Sequence, residues 1–236
     1  MGALTATLPK PLLAVRGRPI IEHIVCGLEA AGTGEVVVVT GYRGEQIQAH
    51  LGDGTHWGVR VAYRTQESQD GTAGALLLAR DLIGDRPFVL SWGDVMVAAE
   101  NYAALLAEYR RSPCDALLLV NDVDDPWRGA AVYVDHEWRV TRLVEKPARG
   151  SSTTRWNNAG ISVFAPSILR YAERLAPSAR GEYELPQAVA AMLADGRAVR
   201  ALPVRGFWSD LGTPADLAAA EEVLRLSAGA PQATGN

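Results

Sequence analysis

Between Pro19 and Gly32, the apolar residues Ile21, Ile24, Val25 and Leu28 recur at three- and four-residue spacing, which puts them on one face of a helix over 20–31. Pro19 suits the first helical position and Gly32 the position just past the end. Glu35–Thr40 follows with four consecutive valines and no alternation, the pattern of a buried strand covered on both faces in a parallel sheet. Gly41 then turns the chain into a short helix ending near Leu51. Residues 59–64 alternate as a strand, 72–83 have helical spacing, and 87–91 form a strand closed by Gly93 and Asp94. This repeated alternation of strand and helix predicts a doubly wound α/β sheet.

The pattern changes beyond a helix over 102–111. A strand over 116–120 leads to two apolar segments, 132–134 and 139–144, which flank the turn Asp135-His136-Glu137 and predict an antiparallel part. A strand over 161–164, a helix opened by Pro166, a helix over 185–193, a strand over 199–204 and a closing helix over 217–226 complete the chain. With no repeat and no linker composition, the expectation is a single unit over 1–227. Its sheet is mixed but mostly parallel, with a small antiparallel part, and 228–236 form a disordered tail.

Composition narrows the function classes. Of the 236 residues, 48% are hydrophobic and 21% charged, the profile of a globular protein, and no apolar run approaches a membrane span. A net charge of −4 without a dense basic block argues against a nucleic-acid surface, so an anionic substrate must be met by local cations or a metal. Met1-Gly2-Ala3-Leu4 has neither a basic nor an apolar signal region, so the expected compartment is the cytoplasm. Cys26 and Cys114 have no ligand or disulfide spacing and read as reduced core cysteines. The four histidines show no metal spacing, and no Gly-x-Ser-x-Gly elbow is present. The sequence leaves a homo-oligomer open.

Candidate chemistry gathers at a few points. Lys10 is clamped between Pro9 and Pro11 on a stiffened, non-helical stretch, which makes it a pre-aimed charge. Asp94 stands at the carboxyl end of a strand, where α/β sheets collect ligands, although an acid there also serves as an ordinary cap. Asp210 precedes Thr213-Pro214, which already supplies a helix start, so capping does not require it. Two carboxylates at strand ends suit Mg²⁺, which binds through one or two carboxylates together with substrate phosphates. The loop 66–74 carries Gln66, Gly71 and Thr72 at a strand-to-helix junction. Glu145-Lys146-Pro147 sets another lysine before a proline, beside a carboxylate able to accept sugar hydroxyls. The acidic run Asp122, Asp124 and Asp125 reads as a solvated turn.

Taken in order, Pro9-Lys10-Pro11-Leu12-Leu13, Gln66 with Gly71-Thr72-Ala73-Gly74-Ala75, Trp92-Gly93-Asp94, Glu145-Lys146-Pro147, Asn158-Ala159-Gly160 and Trp208-Ser209-Asp210-Leu211-Gly212-Thr213-Pro214 resemble the sugar-1-phosphate nucleotidyltransferase family. Arg180-Gly181-Glu182-Tyr183-Glu184-Leu185 resembles it as well. The resemblance implies a Rossmann-like fold and an Mg²⁺-dependent reaction in which a nucleoside triphosphate, with UTP or dTTP favoured, and a sugar 1-phosphate give a nucleotide sugar and pyrophosphate. By match, Lys10 contacts the nucleotide phosphates and Gln66, Gly71 and Thr72 the rest of the nucleotide. Asp94 and Asp210 hold the metal. Glu145 takes sugar hydroxyls and Lys146 the sugar phosphate, while Gly129, Asn158, Gly160 and Trp208 complete the sugar-phosphate pocket. Lys10, Asp94 and Lys146 are the expected catalytic groups.

Family members carry a strand and a glycine-rich loop just ahead of the region matched by Met1 to Leu8, so the expectation is a truncated chain or a start codon assigned too late. Pro186-Gln187 also departs from the Thr-Asp common in that family. Two other readings stay open on sequence alone: a nucleotide- or sugar-binding module without turnover, and a glycosyltransferase of similar architecture.

Overall fold

The computed structural model of the protein describes residues 5–229, the last three as backbone alone. A hairpin of β1 (Ala14–Val15) and β2 (Arg18–Pro19) turns through Arg16 and Gly17, both at positive φ. Then follow α1 (Ile20–Ala30), β3 (Glu35–Thr40), α2 (Gly44–Leu51) and β4 (Arg60–Thr65). The helix expected over 72–83 breaks at Ala79 into α3 (Thr72–Leu78) and α4 (Arg80–Ile83). Next come β5 (Phe88–Ser91), β6 (Val95–Val97), α5 (Glu100–Arg111), β7 (Ala116–Asp122), β8 (Ala130–Val134), β9 (Val140–Glu145) and β10 (Trp156–Phe164). The last elements are α6 (Ile168–Ala172), α7 (Leu185–Ala194), β11 (Val199–Pro203), β12 (Trp208–Asp210) and α8 (Pro214–Gly229). Of the expected tail, 228–229 continue α8 and 230–236 lie outside the described residues.

The central sheet is mixed, in the order β11-β7-β10-β8-β9, with β5 also paired to β10. Its parallel share is smaller than the strand-helix alternation suggests. Among the described strands, β11 runs parallel to β7 and β3 to β4, while every other pairing is antiparallel. The reason is β10, a long strand that enters antiparallel to β5 and β7 and shifts register between Asn158 and Ser162. Its first half and the β8–β9 pair form the antiparallel part.

β7 shows what a covered strand looks like: 116–121 are all buried. Leu118 and Val120 face a cluster with Phe164, Ile168 and Met192, whereas Leu117 and Leu119 face another with Ile20, Leu105 and Ile161. Each such side chain contributes roughly 1.5–3 kcal/mol on burial. β3 does not match its expectation. Val36, Val37, Val38 and Val39 are only half-buried, and so are all four residues of β5. Each of these strands is paired on one edge alone. Among the described residues, no helix is long and apolar enough to cross a membrane.

Candidate active site

Asp94 leaves β5 through Trp92 and Gly93, and the chain continues as β6. β6 pairs antiparallel with β12, with Asp210 opposite Val95, and Leu211 N–H donates to the Asp94 carbonyl at 2.9 Å. That short pairing brings Asp210 from the far end of the chain to Asp94. Asp210, exposed at the end of β12, is raised above its ordinary value by desolvation on its cleft side and by repulsion from the Asp94 carboxylate, with Lys10 and Arg128 pulling the other way. Lys10 Nζ stands 3.0 Å from Asp94 Oδ2, each side chain about one-third exposed (33% and 34%). Lys10 begins a single 3-10 turn, Lys10–Leu12, so the proline clamp gives one helical turn rather than a fully extended stretch.

Opposite this group, Glu145 ends β9 and Lys146 follows in a left-handed backbone conformation, φ 41°. A residue before proline disfavours that region, so Lys146 stores backbone strain of about 1–3 kcal/mol, a feature that clusters at functional sites. Lys146 N–H donates to Gly129 O at 2.8 Å, which seats the turn. Lys146 Nζ lies 3.9 Å from Glu145 Oε1. Glu145 Oε2 is buried without a hydrogen-bond partner among the described residues. Burial and then the nearby Glu184 carboxylate push Glu145 up to about 7. Glu184 is itself buried, which alone would raise it, yet its hydrogen bonds with Arg180 and Glu145 hold it below its ordinary value.

Gln66 donates through Nε2 to Asp70 Oδ1 at 2.6 Å and to Gly71 O at 3.0 Å. Gly71 has φ 109°, and a Cβ there would sit 2.5 Å from the Tyr183 carbonyl oxygen. Only glycine allows this approach. Thr72 Oγ1 accepts the Leu185 N–H at 2.9 Å, so its hydroxyl ties the loop to the start of α7. At Gly129 a Cβ would collide with Asn157 Oδ1.

Asp94, Asp210, Glu145, Lys146, Gln66, Gly71, Thr72, Gly129, Asn158 and Trp208 all line one cleft of about 2030 Å³, and Lys10 reaches it through Asp94. Gly160 stands apart. It lies at the β10 bulge against Trp92, where a Cβ would meet Trp92 Cε3 at 2.6 Å, and it borders a small void rather than the cleft. Trp208 donates from Nε1 to Ala159 O at 3.0 Å, which anchors the ring that edges the cleft.

The Nucleotidyl transferase family matches residues 2–225. The chain belongs to that family. It is 35% identical over 222 residues to the low-salt glycan biosynthesis nucleotidyltransferase Agl11 of Haloferax volcanii, covering 94% of this chain but 61% of that protein. It is also 35% identical over 235 residues to the UTP–glucose-1-phosphate uridylyltransferase AglF of the same organism, covering 98% of this chain and 93% of that one. The chain thus spans about three-fifths of the one relative and nearly the whole of the other. A Bacillus anthracis structure assigned as a glucose-1-phosphate thymidylyltransferase, in complex with a sucrose, superposes with a TM-score of 0.86 at 28% identity over 95% of this chain and 90% of that chain.

The cleft also holds residues to which sequence reasoning assigned no role. Arg128 lines the cleft near Asp210, and Arg180 and Glu184 stand beside Glu145. The segment holding Arg180 and Glu184 carries a family-like pattern, but its meeting with Glu145 depends on the packing of α7 against β9 and has no local signature. Asp122 and Asp124 pair with Arg155 at the surface, as a solvated turn should.

Proposed function

We propose that this chain joins a nucleoside triphosphate, UTP or dTTP by preference, to a sugar 1-phosphate, giving a nucleotide sugar and pyrophosphate. The observation that carries the reading is the convergence in one cleft of the Asp94–Asp210–Lys10 group and the Glu145–Lys146 turn. A sugar-phosphate oxygen attacks the α-phosphorus of the triphosphate, the bond from that phosphorus to the bridging oxygen breaks, and pyrophosphate leaves with the electron pair. The nucleophile is already an anion, so no general base is required. The barrier is the approach and alignment of two polyanions, and fixed cations lower it.

Lys10 supplies charge at the triphosphate side and Lys146 at the sugar phosphate. Glu145, with its buried and unpartnered Oε2, is placed to hydrogen-bond sugar hydroxyls. Gln66 spends both amide donors on Asp70 and Gly71, which leaves Oε1 to accept a hydrogen bond from a base. Uracil and thymine, like guanine, offer a ring N–H there, whereas the ring nitrogens of adenine and cytosine at the same edge are acceptors.

Asp94 and Asp210 fit Mg²⁺, since a carboxylate raised by its neighbour's charge gains from a cation between them. No group of three or more acidic, His or Cys ligands exists among the described residues, which suits an ion that takes most of its ligands from substrate phosphates and water. Bound there, the ion would neutralise phosphate charge. The cytoplasm, where triphosphates are available, is the compartment this reading implies, and the unpaired Cys26 and Cys114 accord with it.

The test is pyrophosphate release in Mg²⁺ from a panel of triphosphates and sugar 1-phosphates. Release with UTP or dTTP and at least one sugar phosphate is expected. No release with any pair, or transfer only from a preformed nucleotide sugar, would contradict the assignment.

A further inference from the structure

The cations around the polar part of the cleft are not equally committed. Lys10 meets Asp94, Lys146 lies 3.9 Å from Glu145 Oε1, and Arg180 reaches Glu184 and, at 3.2 Å, Glu182. Exposed arginines elsewhere also spend their charge, Arg111 on Glu108, Arg155 on Asp122 and Asp124, and Arg225 on Glu222. Arg128 lines the cleft, and among the described residues it has no carboxylate partner. Its guanidinium stands 6.0 Å from the centroid of the Trp127 ring, a contact that uses the indole face and leaves the N–H fork unspent.

The backbone around Arg128 is held from several sides. Pro126 opens the 3-10 turn Pro126–Arg128, and the next residue, Gly129, accepts the Lys146 N–H at its carbonyl at 2.8 Å. Asp125 Oδ2 accepts the Gly150 N–H at 2.7 Å, which ties the loop before β8 to the loop after β9. Trp127, 40% exposed, sits under a second guanidinium from that other loop, Arg149 at 5.6 Å. The two loops therefore form one piece that carries Arg128 and Lys146 together. On its other side Arg128 acts on Asp210, whose carboxyl it draws down against the push from Asp94. It is thus a neighbour of both halves of the site, by backbone to the Lys146 turn and by charge to the acidic pair.

We propose that Arg128 is a further catalytic residue, which forks two oxygens of the phosphate entering with the sugar while Lys146 neutralises it from the adjoining loop. The inference rests on the transfer proposed above. That phosphate is the nucleophile, so it must be aimed at the α-phosphorus as well as neutralised. A planar guanidinium fixes two of its oxygens and hence the direction of the third, whereas an ammonium acts as a point charge. In the product the same phosphate lies next to the sugar. The contact therefore persists with a nucleotide sugar and has no counterpart with a nucleoside monophosphate.

The experiment titrates UDP-glucose and UMP, and likewise dTDP-glucose and dTMP, into the native chain, Arg128→Lys and Arg128→Gln by calorimetry, with thermal melting on the same preparations. Arg128→Gln should lose about tenfold or more in affinity for the nucleotide sugar, and Arg128→Lys should recover only part of it. Monophosphate affinity and melting temperature should be unchanged in both, since Arg128 is exposed. Equal loss for both ligands, or loss for neither, overturns the proposal. A second measurement maps arginine modification by phenylglyoxal in the native chain by mass spectrometry. Glucose 1-phosphate or inorganic phosphate, but not glucose, should protect Arg128, while Arg149, which does not line the cleft, stays reactive. If the native chain binds neither nucleotide sugar, this second result decides. Protection of Arg128 in a chain that releases no pyrophosphate keeps the phosphate contact while the transfer reading fails. Absence of protection beside normal pyrophosphate release overturns the role of Arg128 alone.

Discussion

Glu184 is buried and Glu145 half-buried beside it, and the strain of two like charges is relieved on one side only. Arg180 holds Glu184 below its ordinary value, while burial and the Glu184 charge push Glu145 up to about 7. A carboxyl raised on folding stabilises fully below its unfolded value, and that contribution is lost as pH rises to the folded one. Between about pH 4.5 and 7, Glu145 ionises in the unfolded chain while the folded chain keeps it protonated, so stability falls across that window. Glu145→Gln removes that charge, and the variant should gain roughly 1–3 kcal/mol over the native chain at about pH 8 and little at about pH 4. Urea unfolding at both values checks this, and an equal difference at both would show that Glu145 does not titrate as described.

Lys10 and Asp94 meet at the open lip of the cleft, where solvent screens the pair to about 0–1 kcal/mol. Lys10→Met should therefore leave the melting temperature nearly unchanged. Triphosphate affinity should nevertheless fall about tenfold or more, since each lost charge-assisted contact is worth roughly 1.5–3 kcal/mol. Thermal melting and nucleotide titration on the same preparation separate the two effects. A large loss of stability without a loss of affinity would make Lys10 a structural residue.

Gly71 carries the loop between Gln66 and α3 against the Tyr183 backbone, in a conformation that side chains rarely adopt. Gly71→Ala should cost roughly 2–5 kcal/mol, the sum of backbone strain and a close contact with a carbonyl. It should also release the Gln66 amide from Gly71 O and weaken discrimination between bases. Urea unfolding measures the first effect and competition among triphosphates the second. A stable variant with unchanged preference would place Gly71 outside the nucleotide site.

Much of the framework was legible in the sequence, because its signals are local. The Pro19 and Gly32 boundaries mark α1, and the apolar run over 116–120 marks β7 as a strand. Ordered motifs at strand ends gave Asp94, Asp210, Glu145 and Lys146, and the structure gathers them around one cleft. Contacts between distant segments were not legible. The three-residue β12 has no periodicity of its own, yet it delivers Asp210 to Asp94. Glu184 meets Glu145 through packing alone. The half-exposure of Val36 to Val39 likewise depends on what does or does not lie beside them, and a run of valines looks the same in either case.

In the proposed function, Asp94 and Asp210 serve triphosphate binding through one shared cation. Calorimetric titration of UTP and dTTP, with and without Mg²⁺, into the native chain, Asp94→Asn and Asp210→Asn tests it most directly. The prediction is that Mg²⁺ tightens binding to the native chain about tenfold or more, and that both variants lose this increment while keeping their metal-free affinity. An Mg²⁺ increment of the same size in all three proteins would contradict it.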